Sequence, residues 1–174
     1  MAELAFISNK TQKEIFKYFF VTVFALITWI LQVSVFSHLF VFDTTCNLLM
    51  LGCIYFGITR GPLLGSAFGI TSSFFITSTL YDHIFYFSYP LIGLIAGLLT
   101  KNIFSDELLF FILLSFVSTV ITEFLNGWQY SLQNPINIFD RWFFVSFVGA
   151  MINSLIAPLF YYFMRFVTKK LNLR

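Results

Sequence analysis

The chain has 174 residues, of which 59% are hydrophobic, 21% aromatic and 10% charged. Soluble domains carry about 25% charged residues, so this composition excludes an ordinary soluble globular protein and indicates an integral membrane protein. The formal net charge is only +2, and no basic stretch interleaved with aromatic residues indicates a nucleic-acid partner.

Six apolar segments follow one another, separated by short polar breaks. The first is long enough to cross a ~30 Å hydrocarbon core and too long for the apolar region of a signal peptide, so we interpret it as a permanent helix. The second is too short to span unaided, and must tilt little, thin the bilayer or lie sheltered inside the bundle. The tight turn Arg60-Gly61-Pro62 follows it. The sequence predicts one all-α integral membrane domain over 1–174, with six transmembrane helices at about 15–36, 46–59, 62–80, 84–100, 108–126 and 142–164.

The longest predicted loop follows helix five and covers residues 127–141. Trp128 and Tyr130 lie in it and Trp142 directly follows it, and such residues form the aromatic belt at a membrane interface.

Basic residues are distributed unevenly between the two sides of the predicted membrane. Only Arg141 falls on the side opposite the termini. The positive-inside rule therefore predicts that both termini are cytoplasmic. The basic residues on the side of the termini are Lys10, Lys13, Lys17, Arg60, Lys101, Arg165, Lys169, Lys170 and Arg174.

Glycines recur at four-residue spacing in helices three and four. Gly65 and Gly69 share one helix face, as do Gly93 and Gly97. Small residues let helix backbones approach closely in lipid, so we predict that these four glycines, with Gly61 in the preceding turn, lie at helix–helix contacts.

Glu123 is the one carboxylate well inside an apolar segment, about one turn from the predicted end of helix five. A charge at membrane depth is costly and usually faces a partner or a functional site. Arg141 is the nearest cation on that side, and a structural pair is the first interpretation. A partner-binding or ligand role and proton or ion translocation stay open.

Asn153 lies in the middle of helix six, five residues before Pro158. A buried amide needs a hydrogen-bond partner, and either the Ser154 carbonyl freed by the proline or a neighbouring helix offers one. We expect an interhelical structural bond, and we interpret Gln32 near the end of helix one in the same way.

Residue types that carry chemistry are sparse. Cys46 and Cys53 lie about two turns apart on one predicted helix, too far for a disulfide, so both are expected to be buried packing residues. Asp82 and His83 form a polar step whose expected role is a solvated turn. The sequence predicts no enzyme, cofactor or metal site.

The order of these features resembles the rod shape-determining protein MreD family over roughly residues 31–158. The chain differs from that family in having Cys46-Asn47 where Pro-Asp usually stands, and in lacking an acidic residue near Ile76 or Thr77. The residues that carry the resemblance are Leu31-Gln32, Asn47-Leu48-Leu49, Arg60-Gly61, Gly65, Gly69, Gly93, Gly97, Glu123, Asn153 and Pro158.

This resemblance implies a non-enzymatic scaffold of the bacterial inner membrane. Such proteins bind MreC and help to couple cytoplasmic MreB filaments to the peptidoglycan synthases RodA and its penicillin-binding partner, within the membrane lipid, to control cell shape.

The family also looks like the substrate-binding S components of energy-coupling-factor transporters, which share a six-helix bundle. The alternative function is therefore vitamin binding in an uptake transporter, and a passive assembly factor is a third. An S component would place ligand contacts on the outer side, where the chain offers His38, Asp43, Asp82, His83, Trp128, Gln129, Tyr130 and Gln133.

Overall fold

The computed structural model describes residues 2–38, 44–80, 85–100, 107–133 and 138–170, without the side chains of 2–11, 13, 79–80, 85, 130, 133 and 138–142. Every regular element in these ranges is helical. The elements are α1 (Ala2–Ser34), a 3₁₀ turn (Phe36–His38), α2 (Leu48–Arg60), α3 (Pro62–Leu80), α4 (Phe85–Thr100), α5 (Glu107–Gln133) and α6 (Ile138–Lys170).

The predicted loop over 127–141 is wrong. The helix α5 continues to Gln133 and α6 begins at Ile138, so both helices extend into the stretch assigned to the loop. Asn126 and Gly127 are weak helix formers, with glycine costing about 1 kcal/mol relative to alanine, and that local cost is overridden here. By contrast α3 begins and ends at the predicted residues, 62 and 80, with Pro62 in the first turn, where a missing N–H is tolerated.

Within the described chain, α2 alone contacts each of the other five helices. It has 13 residues, and residues 48–58 are all buried. A short helix can tilt little, thin the bilayer or be surrounded by other helices. The burial of α2 shows that it is surrounded by other helices. Around α2, α3 packs mainly on α4 and α5 packs mainly on α6.

Aromatic rings fill the space between α1, α2 and α3. Phe56 of α2 stacks on Phe68 of α3 with ring centroids 4.9 Å apart, and Phe24 of α1 meets Phe56 edge-on at 6.0 Å. Offset and edge-on ring pairs are the favoured geometries and fix the helices laterally. Gly52 makes room for this stack, because a Cβ there would lie 2.5 Å from the Phe68 ring.

The outer surface of the bundle is apolar. Large side chains such as Leu132, Leu155 and Phe87 are more than three-quarters exposed, which in water would be an aggregation hazard and in lipid is expected. In the part of the chain that the structure describes, three stretches are long and apolar enough to cross a membrane, namely Glu14–His38, Glu107–Gln129 and Phe143–Lys170. The described chain is thus an all-helical bundle with the surface of a membrane protein.

Candidate functional site

Asn47 caps the N-terminus of α2 inside the protein. Its side-chain oxygen accepts a hydrogen bond from the backbone N–H of Met50 at 3.0 Å and another from the hydroxyl of Tyr89 on α4 at 2.9 Å. The first N–H groups of a helix have no partner within it, and asparagine is among the best residues at this position.

Asn153 of α6 binds the same helix end. Its side-chain oxygen accepts from the backbone N–H of Asn47 at 2.8 Å, and its amide nitrogen donates to the hydroxyl of Thr119 on α5 at 2.9 Å. These are the interhelical bonds expected of a buried amide in a membrane helix. Asn153 is only 1% exposed, so water cannot replace either bond.

Gln32 of α1 completes the arrangement. It donates to the carbonyl of Cys46 at 2.7 Å and accepts from the backbone N–H of Leu48 at 2.8 Å. We call the five residues Gln32, Asn47, Tyr89, Thr119 and Asn153 the α2 polar cluster. Its side chains are neutral amides and hydroxyls that pair with one another and with the backbone, so its chemistry is that of a structural clamp.

The glycines of α2, α3 and α4 meet at one point. A Cβ at Gly65 would lie 2.6 Å from the Gly57 Cα and 2.6 Å from the carbonyl oxygen of Gly93, and one at Gly93 would overlap the Gly65 carbonyl. Gly69 packs on the α4 backbone in the same manner, with Tyr89 and Pro90 atoms 2.6 Å from a built Cβ. Three helix backbones thus touch where no side chain fits.

Gly97 and Gly61 play different parts in the α2–α3 turn. A Cβ at Gly97 would overlap the backbone of Pro62. Gly61 was predicted to be a packing residue. Its backbone lies in this contact, with its carbonyl carbon 2.7 Å from a Cβ built at Gly97, whereas a Cβ built at Gly61 itself would meet nothing within 4 Å. Gly61 is needed instead for its backbone, with φ 94° and ψ 171°, a region that essentially only glycine adopts.

At the opposite end of α2 lies a cavity of about 360 Å³. Two hydrogen bonds hold side chains that line it. The Tyr161 hydroxyl donates to the Glu107 carboxylate at 2.8 Å, and the Tyr55 hydroxyl lies 3.0 Å from the Thr168 hydroxyl. Arg60, predicted as a partner-binding or structural residue, lines it and is half-buried. We call this feature the basic cavity, and the described residues that line it are Tyr55, Thr59, Arg60, Glu107, Tyr161, Arg165, Thr168 and Lys169.

Glu123 lies on α5 and is half-buried. Because α5 runs on to Gln133, Glu123 is ten positions, about 15 Å, from the end of its helix, and the predicted single turn is wrong. The side chain of Arg141 lies outside the described residues, so the pair of Glu123 and Arg141 stays a prediction. Pro158 lies inside α6 and is half-buried.

Of the remaining predicted positions, some are described by the structure and others lie outside the described residues. Cys46 and Cys53 are free and buried, as predicted, although Cys46 precedes α2 rather than lying on it. Asp43, Asp82 and His83 lie outside the described residues, as do the side chains of Tyr130 and Gln133. Within the described part of the chain, no three His, Cys, Asp or Glu side chains form a group that could hold a metal ion.

Sequence reasoning missed several residues that the structure brings together. Asn47 carried a signal, because asparagine directly before an apolar helix is a capping pattern. Tyr89, Thr119, Tyr161 and Glu107 carried none, since their partners lie on other helices and depend on which helices are neighbours.

Comparison with protein-family models, with curated proteins and with solved structures finds no match for this chain. The resemblance to the MreD family therefore rests on the residues of this sequence alone.

Proposed function

We propose that the protein is a non-enzymatic, MreD-like scaffold of the bacterial inner membrane that binds MreC and helps to couple MreB to RodA and its penicillin-binding partner. One observation supports this proposal above others. Residues that carry the resemblance and are far apart in sequence converge on α2: Gln32, Asn47 and Asn153 at its N-terminus, and Gly65 and Gly93 against Gly57.

A scaffold needs a fixed shape, and these contacts supply one. The α2 polar cluster joins α2 directly to α1, α4 and α6 and, through Asn153, to α5, while the glycine contacts join α2, α3 and α4. Satisfied buried polar networks and close backbone contacts favour one arrangement of the helices over others. The exposed apolar faces of the long helices then remain for lipid and partner proteins.

We propose further that all six helices are embedded in the cytoplasmic membrane, with both termini in the cytoplasm. The nine-to-one distribution of basic residues supports this orientation. A reporter active only in the periplasm, fused after Arg174, should stay inactive, and the same reporter inserted between α5 and α6 should be active. The opposite pattern would overturn the orientation.

Binding to MreC is the direct test of the scaffold. The tagged protein, extracted from native membranes in mild detergent, should retain the MreC encoded in the same genome. A Gly69→Leu variant, in which α3 and α4 cannot pack, should lose MreC. The control is Gly149→Ala on α6, whose added Cβ would meet nothing closer than 3.7 Å and which should keep MreC. Recovery of the protein without MreC under all mild extraction conditions would contradict the proposal.

The alternative proposal is a vitamin-binding S component of an energy-coupling-factor transporter. A vitamin-binding subunit and a scaffold differ in how their melting temperatures respond to vitamins, because a ligand that binds only the folded state raises the melting temperature. A panel of B vitamins should leave the melting temperature of the purified protein unchanged if it is a scaffold. Stabilisation by one vitamin at micromolar concentration would favour the transporter subunit.

A further inference from the structure

The basic cavity lies where the C-termini of α2 and α6 meet the N-terminus of α5, at the end of the bundle opposite the α2 polar cluster. We propose that it binds a phosphate group, carried either by a phospholipid headgroup or by a soluble phosphate ester. This inference does not rest on the scaffold proposal, which assigns no ligand to this end of α2.

Charge is the first argument. Among the residues that the structure describes, the cavity is lined by three cations, Arg60, Arg165 and Lys169, and by one carboxylate, that of Glu107. That leaves an excess of two positive charges, three minus one. Among the described residues none of the three cations has an acidic partner within 4.0 Å, and the one ion pair found joins Lys17 to Glu14 elsewhere. Cations that share one cavity repel each other, and a bound anion would relieve that repulsion.

Hydrogen-bond donors are the second argument. The Thr168 hydroxyl donates to the carbonyl of Met164 at 2.9 Å, so the Tyr55 hydroxyl must be the donor in its bond to Thr168. The Tyr161 proton is likewise used on Glu107. The Thr59 hydroxyl donates to the carbonyl of Tyr55 at 2.8 Å, so the side-chain donors left to face a ligand are those of the guanidinium and ammonium groups. Arginine forks match the oxygens of phosphate, and lysine adds a point charge.

Position and size are the third argument. The candidate spans begin at Glu107 and end at Lys170, so the cavity lies at the ends of two apolar helices, the level at which lipid phosphates lie. Its volume falls within the roughly 300–1,000 Å³ of ligand pockets. Favourable interaction with helix C-termini explains why basic residues stand at these ends, but it does not require them to line one cavity. Lys170 illustrates the difference, since it ends α6 without lining the cavity.

The test uses the delipidated full-length protein in a neutral detergent, with thermal stabilisation as the readout. The probes are phosphatidylglycerol, diacylglycerol with the same acyl chains but no phosphate, and water-soluble glycerol 3-phosphate. We expect phosphatidylglycerol to stabilise and diacylglycerol not to. Stabilisation by glycerol 3-phosphate as well identifies a soluble phosphate as sufficient, and stabilisation by the lipid alone identifies a headgroup site. Equal effects of the two lipids, or no effect of any phosphate probe, would overturn the proposal.

Adjacent lysines provide the matched variants. Lys169→Gln and Arg165→Gln should each raise the apparent Kd for the stabilising phosphate probe about tenfold, equivalent to 1.4 kcal/mol, while Lys170→Gln should change it less than about twofold. All three side chains are exposed, so each variant without ligand should melt at the same temperature as the unsubstituted protein. This measurement checks that the variants fold. Equal weakening by Lys169→Gln and Lys170→Gln would show general surface attraction and would sink the proposed site.

Discussion

The backbone N–H of Asn47 donates to the side-chain oxygen of Asn153 at 2.8 Å, across 106 positions of sequence. This bond ties the cap of α2 to the middle of α6. Since Asn153 also donates to Thr119, one amide holds three helices together.

Replacing Asn153 by alanine should therefore destabilise the protein strongly. It breaks both bonds and leaves the Asn47 N–H buried without its acceptor, for a loss of about 1–3 kcal/mol in the free energy of unfolding. The neighbouring Ser154→Ala is the control, because the Ser154 hydroxyl has no hydrogen-bond partner among the described residues. Denaturant titration in detergent measures both, and equal losses would contradict the assignment.

The glycine contacts make a steric prediction. Gly69→Ala places a methyl group 2.6 Å from backbone atoms of Tyr89 and Pro90, which cannot rotate away, so α3 and α4 must move apart. A loss of about 1–3 kcal/mol is expected from such overpacking, and Gly69→Leu or Gly97→Leu should reduce folded yield further. Gly149→Ala is the matched control, because its Cβ would meet nothing closer than 3.7 Å. Unchanged yield and melting temperature in both leucine variants would show that the glycines do not pack.

Tyr161 and Tyr162 are neighbours with opposite environments. Tyr161 is 2% exposed and donates to the Glu107 carboxylate at 2.8 Å, whereas Tyr162 is 58% exposed. Tyr161→Phe should cost about 1–2 kcal/mol, less than a fully buried bond to a charged group because Glu107 is exposed, and Tyr162→Phe should cost little. Melting temperatures of the two variants compare them directly.

The proposed pair of Glu123 and Arg141 requires a double-mutant cycle. Breaking a fully buried ion pair costs about 3–5 kcal/mol, and a half-buried one less. Glu123→Gln and Arg141→Gln should each destabilise, and the double variant should lose less than the sum. Additive losses would show that the two side chains do not interact, and Glu123 would then act through another partner.

Some helix ends can be predicted from the residues next to them in the chain, and others cannot. The start of α3 was predictable because Pro62 favours the first turn of a helix. The ends of α5 and α6 were not, because Asn126 and Gly127 are weak helix formers whose cost was overridden.

In the candidate site, too, some residues were predictable from the sequence and others were not. Gln32 and Asn153 were recognisable, since an amide in an apolar helix must find a partner. That both would bind the N-terminus of α2, and that Tyr89 and Thr119 would join them, depends on which helices become neighbours. Gly57 was missed because its close contacts are with Gly65 of α3 and Gly93 of α4, and the sequence does not show that these residues become its neighbours.

The shortness of α2 also bears on how the protein responds to bilayer thickness. At 13 residues it is about 20 Å long, against a hydrocarbon core of ~30 Å. Residues 48–58 are buried, and Gln32, Asn47 and Asn153 solvate the N-terminus of α2 as water would elsewhere. In the proposed arrangement with all six helices in the membrane, the other helices would compensate for the difference in length between α2 and the bilayer. A thicker or thinner membrane would act on the long apolar helices at the perimeter, while the centre of the bundle keeps its own fixed length.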